Sequence, residues 1–127
     1  MIPQNIEAII EKDKPLLDSL GLAYVEAKED ALSIKMTVQE HMINSQGICH
    51  GGYLFCMADT ASAYLCANSK VTPVTADASI TYTAPAKLGD KLVATARIEH
   101  HADKASYSHV RITHEDTQEV LCLYRAT

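Results

Sequence analysis

The chain has 127 residues, 47% of them hydrophobic and 21% charged, with a formal net charge of -5. That length holds one well-buried domain and is too short for two, so residues 1–127 are read as a single domain. The acidic balance gives no long-range attraction to nucleic acid or to anionic membranes, so a polyphosphate ligand would need a local basic patch.

Apolar residues Ile6, Ile9, Ile10, Leu16, Leu17 and Leu20 recur at helical spacing over residues 3–20. Pro15 is expected to divide this amphipathic helix into two short pieces, and Gly21 to end it. Two strands are predicted at 22–28 and 31–38, joined at Glu29–Asp30. In the second, Leu32, Ile34, Met36 and Val38 alternate with Ser33, Lys35 and Thr37, the pattern of a half-buried antiparallel strand. Residues 39–50 read as a polar loop.

The segment from Gly51 to Ser69, GGYLFCMADTASAYLCANS, is apolar around nearly the whole helical circumference and lacks proline. It predicts one long helix in the interior. Four further strands are predicted at 74–84, 90–101, 104–114 and 118–126, with turns at Pro85–Gly89, Ala102–Asp103 and Glu115–Thr117. No helix alternates with these later strands, which excludes parallel βαβ winding. The economical solution is an α+β fold, an antiparallel sheet wrapped around one long central helix.

No apolar run is long enough to span a membrane. The N-terminus lacks a basic region followed by an apolar stretch, so a cytoplasmic location is expected. Cys49, Cys56, Cys66 and Cys122 show neither a CxxC pair nor zinc-like spacing, and read as reduced packing thiols. Cys49, beside the motif described next, is the one placed to be partly exposed and reactive. No metal is expected, because the six histidines show no ligand spacing. Of the cations, Lys104 is the candidate for holding a phosphate.

Asp59 is the informative residue, the only charged side chain between His50 and Lys70. An ionised carboxylate taken out of water costs several kcal/mol unless it is paired or hydrogen-bonded. The ordinary use of such an aspartate is to cap a second helix, but no helix-breaking residue lies nearby. At the other end, His50-Gly51-Gly52 opens the helix. Its first N–H groups have no intrahelical partner and carry partial positive charge, so they can stabilise an anion or a developing oxyanion.

The run Asn44-x5-His50-Gly51-Gly52-x6-Asp59, with Tyr53-Leu-Phe-Cys-Met-Ala and Ala78-Ser-Ile-Thr-Tyr82-Thr-Ala-Pro85-Ala-Lys-Leu-Gly89-Asp90 beside it, resembles the PaaI-type hotdog thioesterases of phenylacetate degradation. The likeness extends over essentially the whole chain. It implies a hotdog fold and hydrolysis of acyl-CoA, with aromatic esters such as phenylacetyl-CoA as the expected class. No cofactor is implied. In the roles it carries over, Asp59 is the general base or the nucleophile, and Gly51 offers its N–H to the thioester carbonyl. Asn44 and His50 orient the loop, the thioester or the water. Thr75 contacts substrate or water, while Tyr82 and the His101–Lys104 turn lie where relatives touch coenzyme A. Many relatives carry glycine in that turn, where this chain has Ala102-Asp103.

Gly51 and Asp59 are separated on one helix by about 12 Å. A base and an oxyanion donor must each come within roughly 3 Å of the reacting groups. Antiparallel helices from two chains achieve this, so a homodimer with shared active sites is expected, and the resemblance extends it to a tetramer. Two other functions need different features. A hotdog hydratase or dehydratase would pair His50 with Asp59. A non-catalytic acyl-CoA sensor would need no buried acid and would usually carry a DNA-binding extension.

Overall fold

The computed structural model describes residues 2–28, 30–67 and 74–127. The first segment forms two helices, α1 (Gln4–Lys12) and α2 (Lys14–Leu20), which meet at Asp13. Pro15 lies in the first turn of α2, where a missing N–H costs no hydrogen bond. Gly21 closes α2 at φ 67°, a left-handed conformation that a Cβ would strain. Ile6 and Leu20 anchor the pair in the core. Tyr64 adds a polar tie, donating its hydroxyl to Asp13 Oδ2 at 2.8 Å.

Strands β1 (Ala23–Ala27) and β2 (Ala31–Thr37) follow, then a short 3-10 turn and the long helix α3 (Gly51–Ala67). After it come β3 (Ala78–Tyr82), β4 (Lys91–His101), β5 (Ser106–His114) and β6 (Val120–Ala126). The six strands form one antiparallel sheet in the order β1-β2-β4-β5-β6-β3. Helix α3 packs against β2, β4, β5 and β6.

The core lies between helix and sheet. Met57, Ala58, Ala61 and Leu65 meet Leu32, Ile34, Leu92, Ala94, Val110, Ile112 and Tyr124. The predicted alternation is present: Leu32, Ile34, Met36 and Val38 are all buried. Ser108, Val110 and Ile112 of β5 point to the helix, and the exposed Tyr107 and Arg111 alternate with them.

Two expectations are corrected. The strand predicted over 74–84 is shorter, because the chain crosses from the helix side to the sheet edge before it pairs. Residues 74–77 form a connecting segment, in which Ala76 and Asp77 donate to the Thr127 carbonyl. Helix α3 is also not enclosed on every side. The sheet covers one face, and Gly52, Phe55, Cys56, Asp59, Ala63 and Cys66 form a partly open stripe along the other at helical spacing. Glu29 in the first expected turn, and Asn68 and Ser69 at the expected end of the helix, lie outside the described residues. No helix of the described residues is long and apolar enough to cross a membrane.

Candidate active site

The loop before α3 is held by its own asparagine. Asn44 Oδ1 accepts the N–H groups of Gln46 (2.9 Å) and Ile48 (3.3 Å), and a bridge pairs Ile43 with Cys49. Gly47 takes a φ of 80° inside this turn, donating its N–H to the Asn44 carbonyl at 3.0 Å. Asn44 therefore shapes the approach to the helix. In these contacts it reaches the loop rather than Asp59.

His50 caps the helix entrance. Its Nδ1 accepts the Gly52 N–H at 3.0 Å. A backbone N–H can only donate, so the proton of the neutral ring lies on Nε2. The Gly51 carbonyl accepts the Tyr82 hydroxyl at 2.8 Å. A Cβ at Gly51 would stand 2.7 Å from Cζ and from the hydroxyl oxygen of Tyr82, so glycine permits the close approach. By position, the Gly51 N–H is one of the first-turn donors that lack an intrahelical acceptor.

Asp59 lies in the middle of α3, partly buried on the open stripe. Two hydroxyls hold it: Tyr124 donates to Oδ1 at 2.7 Å, and Thr75 donates to the same oxygen at 3.2 Å. Among the described residues no donor binds Oδ2, which leaves that oxygen for a water or a carbonyl carbon. Burial pushes the Tyr124 hydroxyl up, and its bond to Asp59 and that residue's charge push it further, so Tyr124 stays a proton donor. Its ring packs edge-on against Phe55, at 5.4 Å between centroids.

The fold thus joins Thr75 to Asp59 and Tyr82 to Gly51. It does not join His50 to Asp59 within one chain, since they lie more than two helical turns apart and His50 engages Gly52. Lys104, on the turn between β4 and β5, lines a cavity of about 360 Å³ that Thr75 also borders. Tyr124 was missed by sequence reasoning. The only signal for it was alternation on the last strand, which places it on the inner face without naming what it meets. Cys49 is buried, and burial pushes its thiol up to about 11, so the thiol is a packing group rather than a reactive one.

The family model described as the thioesterase superfamily matches residues 46–121. The chain is 33% identical over 122 residues to the acyl-coenzyme A thioesterase PaaI of Escherichia coli (strain K12), covering 96% of this chain and 86% of that protein. It is 31% identical over 105 residues to the acyl-coenzyme A thioesterase 13 of Mus musculus, covering 81% and 75%. The solved structure of E. coli PaaI superposes with a TM-score of 0.87 over 97% of this chain and 92% of that one, at 31% identity. The matched family model and the close agreement with PaaI in sequence and backbone show that the chain belongs to the thioesterase superfamily, as a PaaI-like thioesterase with the hotdog fold.

Proposed function

We propose that this protein hydrolyses acyl-CoA thioesters, with Asp59 as the group that activates water or attacks the carbonyl. The observation that carries this is the Asp59 carboxylate itself. Its Oδ1 is fixed by Tyr124 and Thr75, its Oδ2 has no donor among the described residues, and the helix carries no other acidic side chain. A carboxylate so oriented has lost the freedom that makes a solvated acid a poor catalyst.

The Gly51 N–H polarises the thioester oxygen, and the Tyr82 hydroxyl on the Gly51 carbonyl steadies that peptide. Asn44 and His50 keep the entrance in shape. Lys104 is the cation within reach of a CoA phosphate. Phenylacetyl-like aryl esters are the favoured class, supported by the similarity to PaaI, a protein of the phenylacetic acid degradation operon in E. coli. The reduced, buried thiols of Cys49 and Cys122 suit a reducing, cytoplasmic setting.

Because Gly51 and Asp59 are about 12 Å apart on one helix, the working site takes Asp59 from one chain and Gly51 from another. The partly open stripe on α3 and the outer edge of β3, which pairs with no other strand of the described residues, support a two-fold homodimer, itself paired into a tetramer. The test is thiol release from a panel of aryl and aliphatic acyl-CoAs by wild type and Asp59→Asn. Wild type is expected to turn over at least the aryl esters, and the variant to fold normally and lose orders of magnitude in kcat. Turnover by Asp59→Asn near the wild-type rate would end the assignment.

A further inference from the structure

The turn between β3 and β4 ends on an acid with both carboxylate oxygens engaged. Asp90 Oδ2 accepts the Lys87 N–H at 2.8 Å, and the Asp90 N–H returns to the Lys87 carbonyl at 3.0 Å. Oδ1 stands 3.4 Å from Nε2 of His114, the last residue of β5. Nδ1 of that ring accepts the N–H groups of Asp116 (3.2 Å) and Thr117 (3.4 Å). The proton of the neutral imidazole therefore lies on Nε2, beside the carboxylate. The Val38 N–H donates to the Asp90 carbonyl at 2.9 Å, which ties the turn to the chain beyond β2.

An acid that caps a turn commonly serves the turn alone. This one is connected further. The N–H that Asp90 holds belongs to the Ala86–Lys87 peptide, and the carbonyl of that same peptide accepts the Cys49 N–H at 2.8 Å. The Cys49 N–H in turn belongs to the Ile48–Cys49 peptide, whose carbonyl accepts the Asn44 N–H at 2.8 Å. A peptide group is planar, so fixing its N–H also aims its carbonyl. Hydrogen bonds in series polarise one another, and a charged acceptor at the head gives the strongest first link. Ala86 and Cys49 are both buried, which shields the middle of the series from water. The series reaches Cys49, two residues before Gly51 at the start of α3.

We propose that Asp90 is a positioning residue for thioester hydrolysis. Through the Ala86–Lys87 and Ile48–Cys49 peptides it holds residues 48–50 so that the Gly51 N–H is aimed where the oxyanion develops. This rests on the reading of Gly51 as the oxyanion donor given above. Such a donor acts in the transition state and must be in place beforehand, and a misplacement of about 1 Å costs up to about a hundredfold. Asp90 does not touch the substrate in this role, so its loss is read in kcat rather than in KM.

The experiment compares wild type, Asp90→Ala and Asp90→Asn by steady-state thiol release, thermal melt and amide hydrogen exchange. In Asp90→Ala, kcat is expected to fall about tenfold while KM stays within about twofold. The Cys49 and Asn44 N–H groups are expected to exchange about tenfold faster or more. Asparagine is neutral but still accepts the Lys87 N–H, so its kcat and exchange rates are expected to lie between alanine and wild type. A lowered Tm with kcat unchanged reduces Asp90 to a turn cap and overturns the proposal, as does exchange of Cys49 at the wild-type rate. Should Asp90→Ala fail to fold by circular dichroism, Asp90→Asn decides by the same two readings. Wild-type turnover with no response to either variant refutes the positioning role only. A folded wild type that releases thiol from no ester overturns the hydrolysis reading, and the role of Asp90 in it.

Discussion

The hydroxyl of Tyr124, on the last strand, donates to Asp59 Oδ1 at 2.7 Å across 65 positions of sequence. One carboxylate oxygen is thereby occupied, and no donor among the described residues binds the other. Tyr124→Phe removes the hydroxyl and keeps the ring contact with Phe55. A hydrogen bond to a charged group contributes about 1.5–3 kcal/mol, so kcat should fall roughly ten- to hundredfold with a near-normal melting temperature. Steady-state kinetics beside a thermal melt check this; an unchanged kcat removes Tyr124 from the machinery.

Gly51 and Tyr82 form a second coupled pair. In Gly51→Ala the new methyl displaces the tyrosine ring, so the hydrogen bond to the Gly51 carbonyl is already broken. Tyr82→Phe alone should cost about 0.5–1 kcal/mol, and close to nothing further in the Gly51→Ala background. Urea denaturation of the four proteins of the cycle measures the coupling. Strict additivity of the two losses would show that the contact is not formed.

The shared site predicts complementation. Asp59→Ala and Gly51→Pro each disable one half of a composite centre, the second by deleting the N–H in the first turn of the helix and crowding Tyr82 with the added ring. Chains of the two kinds, unfolded together and refolded, should regain one of the two sites per heterodimer, up to about half the activity of a wild-type dimer. Verified heterodimers with no recovered thiol release argue that each chain works alone.

The buried thiols set an alkaline limit on stability. Burial pushes Cys49 from 9.0 up to about 11. Cys122 is pushed up to about 12, first by burial and then by the neighbouring Cys49. The unfolded chain ionises these thiols near 9, while the folded chain keeps them neutral until about 11 and about 12. Their contribution to stability is therefore complete below pH 9 and is lost as pH rises through the folded values. Thermal melts at pH 8 and about pH 10.5 should show the lower Tm at the higher pH. At pH 8 only about one Cys49 in a thousand is a thiolate, so iodoacetamide should spare Cys49 and Cys122 in the native protein and label them in urea. Labelling of native Cys49 at the rate of a free thiol contradicts its burial.

Much of the fold was legible in local pattern. Pro15 and Gly21 punctuate the first two helices as expected, because φ restriction and left-handed turns are properties of single residues. Period-two alternation announced the strands from Leu32 to Val38 and from Tyr107 to Thr113, because a pleated strand sends neighbours to opposite faces whatever it packs on. Asp59 stood out for the same kind of reason: one acid in an apolar helix violates the local composition. The long helix and the antiparallel class of the sheet follow from these patterns alone.

What alternation does not carry is which strand lies beside which. The order β1-β2-β4-β5-β6-β3 places the last strand next to the third, and it is this pairing that accompanies Tyr124 to Asp59. The connecting segment at 74–77 looked like strand because its residues suit one; its path from helix to sheet edge instead brings Thr75 to the carboxylate. The apolar run of α3 showed that the helix must be covered, and left unsaid that one sheet covers only one face of it. Residue type and spacing determine what each segment needs; the partners that meet the need are decided by contacts between residues far apart in the chain, which only the folded structure brings together.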